Sequence, residues 1–219
     1  MAKRPVFFEE NGVVKRTDID FQWFAGFAVS QKQKSIKALH DAIREKYPDA
    51  NPLEISTKGT VALGNKLSAF NLKLHGYYLE NVFQSSKVFT DSDGPHLEWL
   101  ELHPKEAKRE AGKLHDEGHR LLAFRYDGTE YPLEPKTAFY DHIYYMAVRD
   151  TLLKEDLDEL AQFNYFTDIE FSPQRSINTQ ARSVVLIKLI WEKYDELPEL
   201  SAEEFISLHK KTITSTSII

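Results

Sequence analysis

Three polar side chains follow one face of a predicted helix within residues 67–89. Glu80, Gln84 and Lys87 occupy positions i, i+4 and i+7, so they project from the same side of the helix, one turn apart. A carboxylate, a carboxamide and an amine in this order, beside aromatic residues, suit the binding and chemistry of a polar ligand. A structural ion-pair face is the simpler interpretation of this pattern taken alone.

Three further polar residues lie outside that helix. Asp168 lies in the aromatic sequence FNYFTDIEF, where this acid is either a turn former or a buried carboxylate with a chemical role. Lys58 lies in a glycine-bearing loop, and Asn178 begins an apolar helix, where N-capping is the ordinary explanation. Each of the three is a weak signal by itself, so the functional inference rests on their order along the chain.

Several catalytic and binding signatures do not occur in the sequence. It has no Walker-type phosphate loop, no GxGxxG fingerprint, no HExxH helix and no GxSxG elbow. It has no cysteines, which excludes disulfides, thiolate nucleophiles and cysteine-ligated metals. The eight histidines are dispersed, and Gly118 weakens the helix that would pair His115 with His119. We therefore expect neither a metal nor a cofactor.

The composition restricts the class of protein and of partner. A hydrophobic share of 42% and a charged share of 28% over 219 residues are typical of one large globular domain or two small ones. The formal net charge of −6 argues against tight binding of a nucleic-acid duplex, although basic residues cluster at 105–113. The sequence shows no run of 18 apolar residues and no signal peptide, so we expect a cytoplasmic protein that does not span a membrane.

Residue periodicity and turn residues predict a helix-rich α+β fold with a few short strands. Asn11-Gly12 lies between two strand-like runs and predicts a hairpin, and Ser30 is placed as the N-cap of the first helix. Ser201 and Glu204 predict a capping box for the last helix. The other predicted elements are a strand at 53–57, a loop at 58–66, a polar turn at 90–95, a helix from 104, a strand at 121–126, a helix at 135–155 with Leu153 facing inward, helices at 156–162 and 178–194, and a strand-like or frayed tail at 212–219.

The block order of the chain resembles the NADAR family, the YbiA-like proteins linked to NAD and ADP-ribose metabolism. Phe139 or Tyr140 stands where the family usually has tryptophan. The other matching segments are LSAF at 67–70 (family LSNF), ENVFQSSK at 80–87 (E-H-x-F-Q-A-x-K), PKEAKREAG at 104–112 (P-x-x-A-K/R-x-x-G), FTD at 166–168 (W-G-D) and INTQARS at 177–183 (K/R-N-x-L-G). The order of the blocks is more specific than any one of them.

The resemblance covers residues 55–194 and includes departures from the family pattern. Ala69, Asn81 and Thr167 replace the family's Asn, His and Gly, and the glycine-rich run after Asp168 is missing, which leaves the substrate open. The N-terminal strand–helix segment resembles the longer, free-standing members associated with guanine ADP-ribosylation. The resemblance implies a single domain, with an N-terminal extension at 1–54, a NADAR-like core at 55–195, and a C-terminal helix and tail at 196–219.

An N-glycosidase that cleaves a ribosyl–amine bond is the function that the resemblance implies. One branch of the family removes ADP-ribose from ADP-ribosylated guanine in DNA or RNA and acts as the antitoxin to a DarT-type ADP-ribosyltransferase. Another branch cleaves a phosphoribosylamino-pyrimidine metabolite. A non-catalytic module that binds ADP-ribose or NAD, or that neutralises a toxin by contact, is an alternative from a different class. We expect the first function, with ADP-ribose and a cognate toxin as partners.

Cleavage of an anomeric C–N bond develops positive charge on the ribose, so it needs a nearby carboxylate and a proton for the leaving amine. The resemblance implies that Glu80 and Asp168 supply these groups in one aromatic-walled cavity. It further implies that Lys58 fixes the substrate or attacks it covalently. The residues implied in substrate binding are Ser68, Gln84, Lys87, Phe139, Tyr140, Phe166 and Asn178.

Overall fold

The computed structural model describes residues 1–90, 94–172, 174 and 176–213, and the predicted α+β class is confirmed. Its strands are β1 (Ala2–Glu10), β2 (Val13–Phe21), β3 (Pro52–Glu54), β4 (Lys73–Leu74), β5 (Tyr77–Tyr78), β6 (Lys87–Phe89), β7 (Leu121–Tyr126), β8 (Thr129–Tyr131) and β9 (Tyr165–Thr167). Its helices are α1 (Val29–Lys46), α2 (Ala62–Lys66), α3 (Leu79–Ser85), a 3-10 helix (Leu97–Glu101), α4 (Pro104–Asp116), α5 (Ala138–Thr151), α6 (Lys154–Ala161), α7 (Gln180–Tyr194) and α8 (Ala202–Thr212).

The backbone forms two compact units, each assembled from separate stretches of sequence. The first unit contains Met1–Ser68, Leu152–Glu199 and the described residues from 209 onward. The second unit contains Ala69–Thr151 and Leu200–Leu208. The predicted single domain, with divisions at residues 54 and 195, stays a prediction.

A four-stranded sheet with the order β2-β1-β9-β3 forms the base of the first unit. Strands β1 and β2 pair antiparallel around Asn11 and Gly12, whose φ angles are 55° and 76°. Two successive positive φ angles are the requirement of a tight hairpin turn, and asparagine followed by glycine meets it, so the predicted hairpin is confirmed. Strand β9 pairs antiparallel with β1 and parallel with β3, which places Glu54 opposite Thr167.

Helix α1 covers this sheet with the apolar face that the sequence predicts. Ile36, Leu39 and Ile43 are buried there against residues of β1 and β2. The prediction for the start of α1 is wrong, because the helix begins at Val29 and Ala28 occupies the N-cap position without a side-chain hydrogen bond. Ser30 therefore lies inside the first turn.

Two other predicted boundaries are wrong for local reasons. The predicted loop at 58–66 contains the short helix α2. The predicted helix at 135–155 is shorter, since α5 ends at Thr151, and Leu153 is 66% exposed instead of facing inward. The Asp156 carboxylate accepts the Leu153 N–H at 2.9 Å and so starts the separate helix α6. The predicted polar turn at 90–95 and the tail lie partly outside the described residues.

In the second unit, the sheet β6-β7-β8 carries an aromatic core. Strand β7 has the predicted bounds, and α4 begins at Pro104 as predicted. Phe124 and Phe139 stack with ring centroids 4.6 Å apart, and Tyr131 meets Phe139 edge-on at 4.8 Å. These rings fix α5 on the sheet. None of the helices within the described residues is long and apolar enough to cross a membrane.

Candidate functional site

The predicted polar row forms a hydrogen-bonded chain inside the second unit, but the prediction that one helix carries all three residues is wrong, because α3 ends at Ser85 and Lys87 begins β6. Lys87 Nζ donates to Gln84 Oε1 at 2.6 Å, and Gln84 Nε2 donates to Glu80 Oε1 at 2.9 Å. Every residue of α3 is buried, and Glu80 is only 7% exposed. The row is therefore not a solvated ion-pair face. It holds one carboxylate in a fixed orientation through an amide that is itself oriented by an amine.

Burial changes the acid–base character of Lys87. Loss of hydration is the largest cause that lowers the pKa of its ammonium group, Glu80 opposes the decrease and the positive charge of Lys108 adds to it, and the resulting pKa is about 8. The amine lies 5.1 Å from the ring centroid of Phe83. A lysine with this pKa is about one quarter neutral at pH 7.5, against about 0.1% for an unperturbed lysine. Lys87 is thus able to act as a cation or as a nucleophile.

The aromatic residues predicted beside this row do lie there. Phe83 contacts Tyr140 edge-on at 5.1 Å and stacks with Phe139 at 6.2 Å. Phe139 and Tyr140 are buried within the second unit, as Phe166 and Ser68 are within the first. The substrate contacts predicted for these four residues stay predictions.

Asp168 lies directly after strand β9 in the first unit and is both a turn former and a buried acid. Its Oδ1 accepts the N–H groups of Glu170 and Phe171, each at 3.1 Å, and its Oδ2 accepts from Gln180 Nε2 at 3.1 Å. Burial, and after it the negative charge of Glu54, raises the pKa of Asp168 to about 7, against the opposing effect of the hydrogen bonds. This carboxyl group exchanges a proton near neutral pH.

Glu54 is the residue that the sequence analysis missed. It is 3% exposed at the end of β3, where Oε2 accepts the Thr167 hydroxyl at 2.6 Å and Oε1 accepts the Ile169 N–H at 2.8 Å. Burial raises the pKa of Glu54, although hydrogen bonds from Ile169, Thr167 and Ser56 oppose the rise. The available signal was a lone acid within the apolar strand segment PLEI, since a strand buried on both faces leaves a charged side chain no route to water.

His40 is linked to Glu54 through the Thr167 hydroxyl. His40 Nε2 lies 2.9 Å from Thr167 Oγ1. Burial, and after it the positive charge of Arg44, lowers the pKa of His40 to about 4, so the imidazole is neutral at physiological pH. Because the single hydroxyl proton of Thr167 is donated to Glu54, His40 must donate its own Nε2 proton to Thr167. The three side chains therefore form one oriented row of donors that ends on the Glu54 carboxylate.

Lys58 lies in the loop between β3 and α2 and is partly buried. Its N–H donates to Ser56 Oγ at 3.2 Å. The loop packs tightly on Glu54, because a Cβ atom at Gly59 would lie 3.2 Å from the Glu54 carbonyl oxygen and one at Gly64 would collide with it. Glycines at these two positions allow the loop to pass across the end of β3.

Two oxygen atoms at the start of α7 have no hydrogen-bond partner among the described residues, namely Asn178 Oδ1 and Thr179 Oγ1. Thr179, not Asn178, occupies the N-cap position, so the capping explanation for Asn178 is wrong. Buried polar atoms are rarely left unpaired in proteins. These two oxygens, next in sequence to Gln180, are therefore available to a ligand.

The predicted site residues fall into two groups. Glu80, Gln84 and Lys87 are brought together in the second unit, and Asp168 joins Gln180 and Glu54 in the first. That Glu80 and Asp168 act on one ribose stays a prediction. A cavity of about 310 Å³ in the second unit is lined by His75, Arg125, Tyr126 and their neighbours, and none of the predicted site residues borders it.

Comparison with known proteins identifies one matching family. A family model described as a DarT1-associated NADAR antitoxin matches residues 2–217. The match extends past both ends of the region 55–194 over which the sequence blocks were aligned, so the β1–β2 hairpin, α1 and α8 fall within the matched family. No curated protein matches the chain.

Proposed function

The chain belongs to the DarT1-associated NADAR antitoxin family, and from this premise we propose that it removes ADP-ribose from ADP-ribosylated guanine in nucleic acid. The reaction hydrolyses the N-glycosidic bond between ribose and the guanine amine and so reverses the modification made by a DarT-type toxin. A DarT1-associated antitoxin implies a cognate DarT1 toxin as partner. The net charge of −6 argues against tight binding of duplex nucleic acid, so we infer that the ADP-ribose group supplies most of the substrate contacts.

The raised pKa of the buried Asp168 carboxyl group is the observation that supports this proposal most directly. A carboxyl group with a pKa of about 7 is about half protonated at pH 7, whereas an ordinary aspartate is almost fully ionised there, and this suits a general acid. Asp168 gives its proton to the guanine nitrogen as the C–N bond breaks, and the bonding electron pair stays on that nitrogen. A water molecule then bonds to the anomeric carbon and returns a proton to the Asp168 carboxylate.

Glu80 has the complementary role. Positive charge develops on the ribose as the bond breaks, and a fixed carboxylate stabilises it more than a mobile one because no reorganisation is needed. Glu80 is held in that way by Gln84, which Lys87 orients in turn.

Lys87 and Lys58 are the two candidates for a substrate-fixing or covalent lysine. The neutral fraction of Lys87 supports attack on a ring-opened ribose, in which the amine displaces the guanine nitrogen from C1′ and forms an imine that water later hydrolyses. In its charged form Lys87 pairs with a phosphate. The unpaired oxygens of Asn178 and Thr179 suit the acceptance of hydrogen bonds from ribose hydroxyls.

The test uses the full chain and an oligonucleotide that carries ADP-ribosylated guanine, with released ADP-ribose as the readout. Asp168→Asn and Glu80→Gln should each slow release at least about 100-fold, because each removes a proton donor or a charge from the reaction. Glu170→Gln is the control, since Glu170 is an exposed neighbour of Asp168, and it should keep near-normal release. Binding of ADP-ribose without any release by the unaltered chain would refute catalysis and favour a non-catalytic module.

A further inference from the structure

We propose that Glu54 is a positioning residue that keeps the proton on Asp168, because its buried carboxyl group hydrogen-bonds to both chain neighbours of Asp168 and, within the described residues, no ion pair joins a lysine or arginine to either acid. The inference rests on the proposed role of Asp168 as the proton donor. In this proposal Glu54, on the neighbouring strand β3, raises the protonated fraction of Asp168. Glu54 itself contacts no substrate.

The backbone fixes the two acids next to each other. Strands β3 and β9 run parallel with Glu54 opposite Thr167, so Asp168 follows immediately after the residue that bonds to Glu54. The Ile169 N–H, on the other side of Asp168, also bonds to Glu54. Glu54 therefore binds both neighbours of Asp168 along the chain, which holds its carboxyl group close to residue 168.

The hydrogen bonds favour charge on Glu54. His40 donates to Thr167, and Thr167 donates to Glu54, so a row of donors ends on this carboxylate. The Ile169 N–H adds another donor, and hydrogen bonds of this kind stabilise the ionised form. When one of two neighbouring buried carboxyl groups is ionised, the other retains its proton to a higher pH.

The remaining groups around Asp168 do not cancel that charge. Helix α7 contributes Gln180, which is neutral, and helix α1 contributes the neutral His40 through Thr167. Glu170, in the loop after β9, adds negative charge but is exposed and pairs with Lys32 of α1 at 3.1 Å. No ion pair among the described residues joins a lysine or arginine to Glu54 or Asp168. Burial and Glu54 thus act in the same direction on Asp168.

A direct titration tests this arrangement without any substrate. The full chain labelled with ¹³C at aspartate carboxyl groups is titrated by NMR, and Asp168→Asn identifies the Asp168 signal. We expect the unaltered Asp168 to titrate near neutral pH, and Glu54→Gln to move that titration down by about one to two pH units. Glu54→Gln keeps the shape of the side chain, and Thr167 is still able to accept from the new amide while donating to neutral His40. Glu170→Gln, the exposed control, should move it much less.

Two results of the titration would overturn the inference. One is an unaltered Asp168 that titrates near pH 4, a result that needs no variant to fold. The other is an equal shift of the Asp168 titration in the Glu54→Gln and Glu170→Gln variants. Such a result would mean that Asp168 responds to the total charge of the protein and not to Glu54 in particular.

The pH profile of ADP-ribose release separates this inference from the proposed function. A general acid must be protonated, so the rate should fall as pH rises past the pKa of Asp168, and Glu54→Gln should move that fall to lower pH by the same amount as in the titration. A titration that shifts while the rate profile stays fixed would refute the link to catalysis. A titration that shifts in a protein that releases no ADP-ribose would support the coupling of the two acids and overturn the proposed function instead.

Discussion

Replacement of Lys87 by methionine tests the buried polar chain through its pH-dependent stability. The pKa of Lys87 falls from 10.5 in the unfolded chain to about 8 in the folded protein, so the unfolded state binds more protons between these values. Charged Lys87 therefore lowers the free energy of unfolding by its full amount below pH 8, and this penalty disappears as pH rises from about 8 to about 10.5. The difference between the two pKa values corresponds to about 3 kcal/mol of penalty for charged Lys87 in the folded state at pH 7.

Methionine removes that penalty but also removes the hydrogen bond to Gln84. Leaving the Gln84 oxygen unpaired costs about 1–3 kcal/mol. The free energy of unfolding of Lys87→Met at pH 7 should therefore lie between about that of the unaltered protein and about 2 kcal/mol above it. The sharper quantity is the change with pH. Between pH 7 and 9.5 the unaltered protein should gain about 2 kcal/mol relative to Lys87→Met, because Lys87 loses most of its charge in the folded state and little in the unfolded state.

Urea unfolding at both pH values measures this change, and taking the difference between the two proteins cancels all other titrations. Lys37→Met is the matched control, since Lys37 is 77% exposed and its substitution should leave the difference constant with pH within about 0.5 kcal/mol. A Lys87→Met protein whose stability relative to the unaltered chain is the same at pH 7 and 9.5 would refute the argument that burial holds this amine near its neutral form.

Two further predictions concern the loop over Glu54 and the covalent step. Gly64→Ala should destabilise the protein by more than about 2 kcal/mol, because the new methyl group collides with the Glu54 carbonyl oxygen. Gly112→Ala is the control in α4, where the methyl group meets no neighbour, and it should stabilise the protein by about 0.5–1 kcal/mol. Thermal unfolding measures both changes. Borohydride added during turnover should trap ADP-ribose on Lys87, seen as a mass increase on the peptide that carries it. Trapping that persists in Lys87→Arg and disappears in Lys58→Arg would move the covalent role to Lys58.

Elements with a complete local signal were predictable from the sequence. The Asn11-Gly12 hairpin needs two positive φ angles, and its two residues supply them. The last helix begins as predicted, with Ser201 Oγ bonded to the Glu204 carboxylate at 2.7 Å and the Glu204 N–H returning to Ser201. Each of these predictions depends on residues at most three positions apart. The polar row was predictable only in part, since helical geometry aligns Glu80 with Gln84 on α3, whereas Lys87 lies on β6 and bonds to Gln84 from there.

Two features were missed, one local and one distant. Leu153 suits a continued helix by type, yet the carboxylate of Asp156, three positions further on, accepts its N–H and begins another helix. Glu54 looked unremarkable because its neighbours Thr167 and Asp168 lie more than one hundred positions away, and only the pairing of β3 with β9 brings them together. The sequence therefore indicated Asp168 as a candidate acid but contained no local sign of the group that sets its protonation.

The two candidate catalytic acids have opposite surroundings, and this difference bears on mechanism more than their presence does. Glu80 is linked through Gln84 to a lysine amine, whereas Asp168 lies beside a second carboxylate and pairs with no cation among the described residues. A negative neighbour favours a carboxylic acid, so Asp168 is suited to donate a proton, whereas Glu80 is held in one orientation by an amide and is suited to stabilise developing positive charge. Departure of an amine from an anomeric carbon needs one group of each kind. A scheme that reversed the two roles would have to ionise the acid beside Glu54, against its surroundings.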